Sequence, residues 1–249
     1  MCWRKGVSFA GIYRHYLKGD GNFNSQEIIN LRDEADIIIT NPPFSLFREF
    51  TRWIMQADKQ FLLIGSINAI TYKEVFQLIK ENRVWLGATG YSSDMVFAVP
   101  KGTVVDEKDR LKAARLGYVG DYTRLGNSCW FTNLDHGRRH QPLPLMTKAD
   151  IIKFGTKKPF DKYNNYNAIE IPFIKFIPSD YVGVMGVPIS FLDKYNPEQF
   201  EIIGSDYDIK EGLLPELINS EWKGKMDRGY INNNRMYSRI LIKHKNTST

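Results

Sequence analysis

The chain has 249 residues, 43% hydrophobic and 25% charged, which excludes a mainly disordered protein and leaves room for a sizeable core. No apolar run reaches the ~20 residues of a membrane span, the start Met1-Cys2-Trp3-Arg4-Lys5 has no apolar signal region, and Cys2 and Cys129 are too few for a disulfide framework or a four-cysteine zinc site, so a reducing cytoplasm with no metal and no membrane is expected. The net charge of +6 is uneven: the first hundred residues carry 11 basic and 10 acidic side chains, whereas His136 to Lys162 alone carries 7 against 2.

In chain order, Arg14 to Leu17 reads as the end of a strand and Gly19-Asp20-Gly21 as a turn. Ser25 suits the N-cap of a helix over Gln26 to Glu34, with Ile28, Ile29 and Leu31 apolar. Asp36-Ile37-Ile38-Ile39-Thr40 is a short β-branched run of the kind found in buried parallel strands. Asn41-Pro42-Pro43-Phe44 must break it, because proline cannot continue a central strand. Ser45 is placed to cap a helix to about Ala57, where Leu46, Phe47, Phe50, Ile54 and Met55 keep helical spacing. Phe61 to Ile64 reads as a second buried strand, Tyr72 to Glu81 as an amphipathic helix, and Val84-Trp85-Leu86 as the start of a third strand. This β-α-β-α-β order predicts an α/β fold with a parallel sheet covered by helices on both faces.

After Pro100 the segments shorten and Gly, Pro, Asn and aromatic residues multiply. Strands are expected at Tyr118-Val119, Cys129 to Phe131, Ala168 to Ile171, Phe200 to Ile203 and Ser238 to Ile242, with short helices over Ile189 to Tyr195 and Leu213 to Leu217. The chain thus divides into residues 1-100, a core part, and residues 101-249, an irregular mixed α+β lobe that holds most of the basic excess. A localised basic excess fits a polyanion such as nucleic acid, or a solvated surface loop.

The stretch Asp36 to Phe44 carries the chemistry. The exocyclic amine of adenine is a poor nucleophile, because its lone pair is delocalised into the ring. A site that accepts both of its N–H bonds holds it in a geometry nearer tetrahedral. The Asn41 side-chain carbonyl can accept one bond and the Pro42 main-chain carbonyl the other, while Pro42 and Pro43 fix φ and preorganise the acceptors. Phe44 offers a ring on which a flipped-out base can stack. The preceding strand puts this turn at a carboxyl edge, where open α/β sheets bind ligands. The plainer reading is a strand-to-helix turn that uses Asn and Pro for shape alone.

Asn-Pro-Pro-Phe after a hydrophobic strand resembles the catalytic motif of class I, S-adenosylmethionine-dependent N6-adenine DNA methyltransferases. The longer string NPPFSLFREF, with GDGNF ahead and NAITYKE behind, resembles the EcoRI-type adenine-specific methyltransferase family, as do GNSCWFTNLDH (126–136), GVMGVPISFLDKYNPEQFEIIG (183–204) and RMYSRILIK (235–243). The resemblance implies a Rossmann-like class I sheet joined to a DNA-recognition lobe. It also implies S-adenosyl-L-methionine as cofactor, double-stranded DNA as substrate, and a restriction endonuclease as functional partner. Asn41, Pro42, Pro43 and Phe44 fall on the catalytic motif, and Asp20 and Asn41 on cofactor-contacting positions. The family normally opens with a strand and a Gly-rich loop that holds the methionine part of the cofactor. Gly11 stands alone, and Gly19-Asp20-Gly21 sits where the family's third strand should end and is a different site, so the sheet is expected to lack its first strands and to expose an edge at Ile37 to Ile39. Two other functions stay open at this level: a non-catalytic DNA-binding remnant, and a class I methyltransferase acting on RNA or protein.

In the basic lobe, Arg138 and Arg139 of His136-Gly-Arg-Arg-His140 are candidate DNA contacts, as are Lys157 and Lys158. Asn164, Asn165, Asn167 and the run Asn232 to Asn234 either read adenine edges with their amides or form turns. Trp130 reads as core rather than as a stacking platform.

Overall fold

The computed structural model describes residues 16–89, 94–154 and 160–245, and the chain divides into two compact units, Met1–Asp135 and His136–Thr249. In the first, Ser25 caps helix α1 (Gln26–Glu34), its hydroxyl accepting from the Ile28 amide at 3.4 Å. Strand β1 (Ile37–Thr40) follows and ends at the prolines. A 3-10 turn over Phe44–Leu46 leads into α2 (Phe47–Gln56). Ser45 therefore sits inside a turn and caps nothing, because the Pro43 carbonyl accepts from the Leu46 amide at 2.9 Å and tightens the chain before the α-helix begins. β2 (Gln60–Ser66), α3 (Lys73–Lys80) and β3 (Trp85–Leu86) complete the expected alternation. Tyr16 and Leu17 are irregular, and Arg14 lies outside the described residues.

Beyond β3 come β4 (Met95–Ala98), α4 (Glu107–Arg115), β5 (Tyr122–Leu125) and β6 (Ser128–Thr132). β4 and β5 pair as an antiparallel ribbon with α4 in their connection. Tyr118-Val119 is not a strand: it lies between Gly117 and Gly120, whose φ angles of 91° and 105° break extended backbone.

The main sheet has the order β1-β2-β6-β3. β1 and β2 run parallel, and β6 runs antiparallel to both β2 and β3. The fold is α/β as expected, but the sheet is mixed. β3 keeps the direction of β2, yet β6 separates them. The physical reason is the pattern Ser128-Cys129-Trp130-Phe131-Thr132, buried at all positions but Trp130, which suits a central strand better than the two-residue β3 does. The first compact unit consequently extends past Pro100 to include β6. Phe61, Leu63 and Phe131 are buried at its centre. Gly65 of β2 takes the Phe47 ring: a Cβ there would lie 2.4 Å from it. Phe47 packs on Phe131 at 4.9 Å between ring centroids, so the first residue of α2 is anchored to the sheet.

In the second unit the elements are α5 (Lys148–Phe154), β7 (Ile169–Glu170), β8 (Met185–Pro188), β9 (Phe200–Ser205), α6 (Asp206–Lys210), β10 (Tyr230–Ile231), β11 (Asn234–Arg235) and β12 (Arg239–His244). Its sheet has the order β7-β8-β12-β9. β12 is flanked on both sides by antiparallel partners, and Ile240, Leu241 and Ile242 are fully buried. The two expected helices are 3-10 segments, Ile189–Lys194 and Pro215–Leu217. β10 and β11 form a separate hairpin.

Candidate active site and nucleic-acid surface

The turn after β1 is held from both ends. β1 pairs with β2 through Thr40, and Phe47 is locked against Gly65, which leaves six residues to bridge strand and helix. Pro42 is buried beneath the turn, while Asn41 and Pro43 are exposed and Phe44 is 38% exposed. Among the described residues, nothing hydrogen-bonds to the Asn41 amide or to the Pro42 carbonyl. Neither acceptor named from the sequence is thus used by the turn, and Phe44 two residues on offers a ring that can stack. The carbonyl that the turn itself consumes is the next one, of Pro43.

Asp20 lies in a loop built of successive side-chain turns. Its Oδ1 accepts from the Asn22 amide at 3.0 Å, and Asn22 Oδ1 accepts from the Asn24 amide at 2.9 Å. The Glu27 carboxylate in the first turn of α1 accepts from the Lys18 and Gly19 amides at 2.9 and 3.0 Å, fixing the loop to the helix. The turn uses one oxygen of Asp20. The loop borders a cavity of 430 Å³ between α1 and β1, lined by Leu17, Gly21, Phe23, Ile38, Phe50 and Trp53 among others. Phe23, Phe50 and Trp53 pack edge-on and tilted there, with ring centroids 5.3–5.7 Å apart. Arg32 covers the Trp53 ring at 4.6 Å and donates to its carbonyl at 3.2 Å. Size and aromatic lining are those of a small-molecule pocket. β1 is the outermost strand of the described sheet, with Ile39 46% exposed on it.

The basic segment is more ordered than a flexible loop. Gly137–His140 forms a 3-10 turn. Arg138 donates to Asp193 at 2.7 Å, and His140 Nδ1 lies 3.0 Å from Glu198. Burial pushes the Tyr195 hydroxyl up to about 12, with the Arg139 charge acting the other way. Part of the positive charge counted in the sequence is therefore balanced by acids more than fifty residues away. Lys157 and Lys158 lie outside the described residues.

The asparagines divide by role. Asn165 is fully buried: it donates to the Arg228 carbonyl at 2.7 Å and accepts from the Tyr230 amide at 3.0 Å. It is a structural clamp and reads no base. Asn232 and Asn233 have φ of 49° and 64°, the left-handed pair that a two-residue hairpin turn needs. A network that no sequence motif announced lies behind them. Arg239 donates from Nε to Glu170 at 3.0 Å, and Tyr163 donates to the same carboxylate. Tyr166 and the Arg239 amide donate to Asp206. Burial holds the Tyr163 and Tyr166 hydroxyls well above their ordinary range, and raises the Asp206 carboxyl against the bonds it accepts. Among the described residues no group of three or more His, Cys, Asp or Glu is placed to hold a metal.

The family model described as adenine-specific methyltransferase EcoRI matches residues 3–245. Type II methyltransferase M.EcoRI of Escherichia coli is 44% identical over 242 residues, covering 97% of this chain and 67% of that protein. Type II methyltransferase M.MpnI of Mycoplasma pneumoniae is 35% identical over 233 residues, covering 92% and 70%. Type II methyltransferase M.MgeORF184P of Mycoplasma genitalium is 35% identical over 231 residues, covering 91% and 70%. No solved structure gives a significant match. With its Asn-Pro-Pro-Phe turn at the carboxyl end of a sheet strand and a match along nearly its whole length, the chain belongs to the EcoRI-type adenine-specific methyltransferase family.

Proposed function

We propose that the chain is a site-specific DNA adenine N6-methyltransferase of restriction-modification type. The observation that carries the reading is the pair of unengaged acceptors at Asn41 and Pro42, preorganised beside Phe44. The Asn41 side-chain carbonyl and the Pro42 main-chain carbonyl accept the two N–H bonds of an adenine flipped from its duplex. Phe44 stacks on the base, and Pro43 holds the turn rigid. Because the acceptors are fixed before the base arrives, they cost no reorganisation as positive charge develops on the amine.

S-adenosyl-L-methionine, when bound, supplies a methyl group on a sulfonium, which needs no metal. Its adenine end fits the apolar cavity between α1 and β1, and the Asp20 oxygen not used by the turn is available for an amine. The parallel β1–β2 pair with the motif at its carboxyl end supports a class I arrangement, whose nucleotide pockets lie at that edge. For the lobe, Arg138, Arg139, Lys157 and Lys158 are proposed as phosphate contacts on double-stranded DNA. A cognate restriction endonuclease is proposed as functional partner, in keeping with the family, and a cytoplasmic setting is proposed with it.

Methyl transfer from labelled S-adenosylmethionine to genomic DNA free of adenine methylation tests the reading. Asn41→Ala should lower turnover by about 10² or more, as expected for loss of a preorganised polar contact, with DNA affinity little changed. Near-normal turnover of the variant would overturn the assignment. Absent turnover in the wild-type chain with retained DNA binding would favour the non-catalytic DNA-binding alternative.

A further inference from the structure

The β10–β11 hairpin, Tyr230–Arg235, projects three consecutive asparagines at an exposed tip. Its turn explains two of them only in part. The left-handed backbone at Asn232 and Asn233 accepts glycine as readily as asparagine. Asn234 already lies in β11, where asparagine is a poor strand former, and its side chain makes only one long bond, to the Asn232 carbonyl at 3.4 Å. Among the described residues, no hydrogen bond engages the Asn232 or Asn233 side-chain amide.

The tip is held from beneath by several bonds. Asn165 fastens the Tyr230 amide, and the Asn164 amide donates to the Tyr230 carbonyl at 2.7 Å. Asn164 Oδ1 accepts from the Asn233 amide at 3.4 Å, and Asn219 Nδ2 donates to the Asn164 carbonyl at 2.8 Å. On the other strand, Arg235 Nε donates to Asp227 at 2.9 Å, and the Tyr230 hydroxyl donates to the same carboxylate. The Met236 amide closes the base of the ribbon on the Gly229 carbonyl at 2.8 Å. Several clamps around an exposed polar tip, with the one from Asn165 buried, are what a preorganised recognition element requires.

Charge indicates which part of DNA the tip meets. Beside it opens a cavity of 280 Å³ whose lining includes Asp161, and this carboxylate disfavours a phosphate at the tip itself. In the chain, Lys223, Lys225 and Arg228 precede the hairpin and Glu221 and Asp227 are the acids of that stretch, so these cations are the nearest candidates in sequence for phosphate contacts. A two-stranded ribbon fits the major groove, and an amide pairs with the N6 and N7 edge of adenine.

We propose that the Tyr230–Arg235 hairpin is a sequence-reading element, with the amides of Asn232, Asn233 and Asn234 contacting adenine edges in the major groove. The proposal rests on the DNA methyltransferase reading and adds the residues that set target choice. The test uses the full chain and a pool of duplexes with a randomised core. One variant is Asn232→Gly with Asn233→Gly, which keeps the turn and removes both amides; the other is Asn234→Thr, which keeps a strand former. Thermal melting of each variant checks that the fold is kept.

The wild-type chain should enrich a motif containing A·T pairs. The variants should lose roughly 5- to 150-fold of the discrimination at one or two of those pairs, the range expected for lost bidentate contacts. Affinity for the unselected pool, and its salt slope, should stay unchanged. Enrichment of the same motif with the same discrimination by both variants would reduce the asparagines to turn chemistry and overturn the proposal. A wild-type chain that binds duplex DNA without sequence preference overturns the proposal together with the site specificity of the proposed function, and methyl transfer to genomic DNA then shows separately whether the methyltransferase reading stands. Failure to bind any duplex overturns the proposal together with the DNA-binding reading.

Discussion

The buried polar groups of the two units differ in kind. In the first unit they are Thr51, Ser128 and Thr132, and each hydroxyl donates to a backbone carbonyl: those of Phe47, Gly126 and Phe61. In the second they are Asn165, Glu170, Asn196, Asp206, Asp208 and Arg239. There the charged members bond to other side chains, as Glu170 does to Arg239, 69 residues away in the chain. A hydroxyl on a carbonyl is neutral and costs little to bury. A buried ion pair holds only while both partners are present, because each alone is an uncompensated charge. The first unit is thus specified by apolar pattern and packing. The second is specified by polar cross-links between segments with weak patterns of their own, and this suits a lobe that must present polar groups on long loops.

The largest effect should come from cutting the cross-link. Glu170→Gln leaves Arg239 buried without its counter-charge and should destabilise the second unit by about 3–5 kcal/mol in urea denaturation. In the first unit the corresponding injury is a cavity: Leu63→Ala, at a fully buried position, should cost about 2–5 kcal/mol. The comparison breaks if Glu170→Gln proves nearly neutral while Leu63→Ala is severe, because the second unit would then also be held by apolar packing. Asn165→Ala sharpens it. The change leaves the Arg228 carbonyl and the Tyr230 amide without that partner, and should cost about 1–3 kcal/mol, with hydrogen exchange rising at Tyr230.

The smallest effect is a pH dependence. The Arg235 guanidinium, and after it the Tyr230 hydroxyl, hold the Asp227 carboxyl below the usual carboxylate range. A lowered carboxyl stabilises the folded hairpin above its unfolded value of ~4 and loses that contribution as pH falls through the folded value. Amide protection at Tyr230 and Arg235 should therefore weaken in acid at pH below ~4. Asp227→Asn should remove that acid dependence. A hairpin equally protected across the acid range would show that the bonds from Asn164, Asn165 and Met236 hold it without Asp227.

What was legible from the sequence follows the same division. α1 begins at the Ser25 cap, β1 ends at the prolines, and α2 and α3 follow helical spacing, because caps, prolines and periodicity act over a few residues. The acceptors of Asn41 and Pro42 were legible for the same reason, since a turn between a strand and a helix is a local object. Ser45 was misplaced by one short 3-10 turn, whose bond from Leu46 to Pro43 competes with a helix cap.

The sequence alone determined the alternating α/β order of the first unit, the position of the Asn-Pro-Pro-Phe turn and the family. The tertiary structure decided which strands are neighbours: β6 enters between β2 and β3 because its buried pattern is the better central strand, a choice that depends on all the strands at once. It also decided the state of the charges. Arg138 counts as a free cation in a composition but is bonded to Asp193, and Glu170, Asp206 and Arg239, which no sequence motif announced, are buried. Whether a charge meets water or a partner depends on segments far away in the chain, and the local sequence carries no record of that distance.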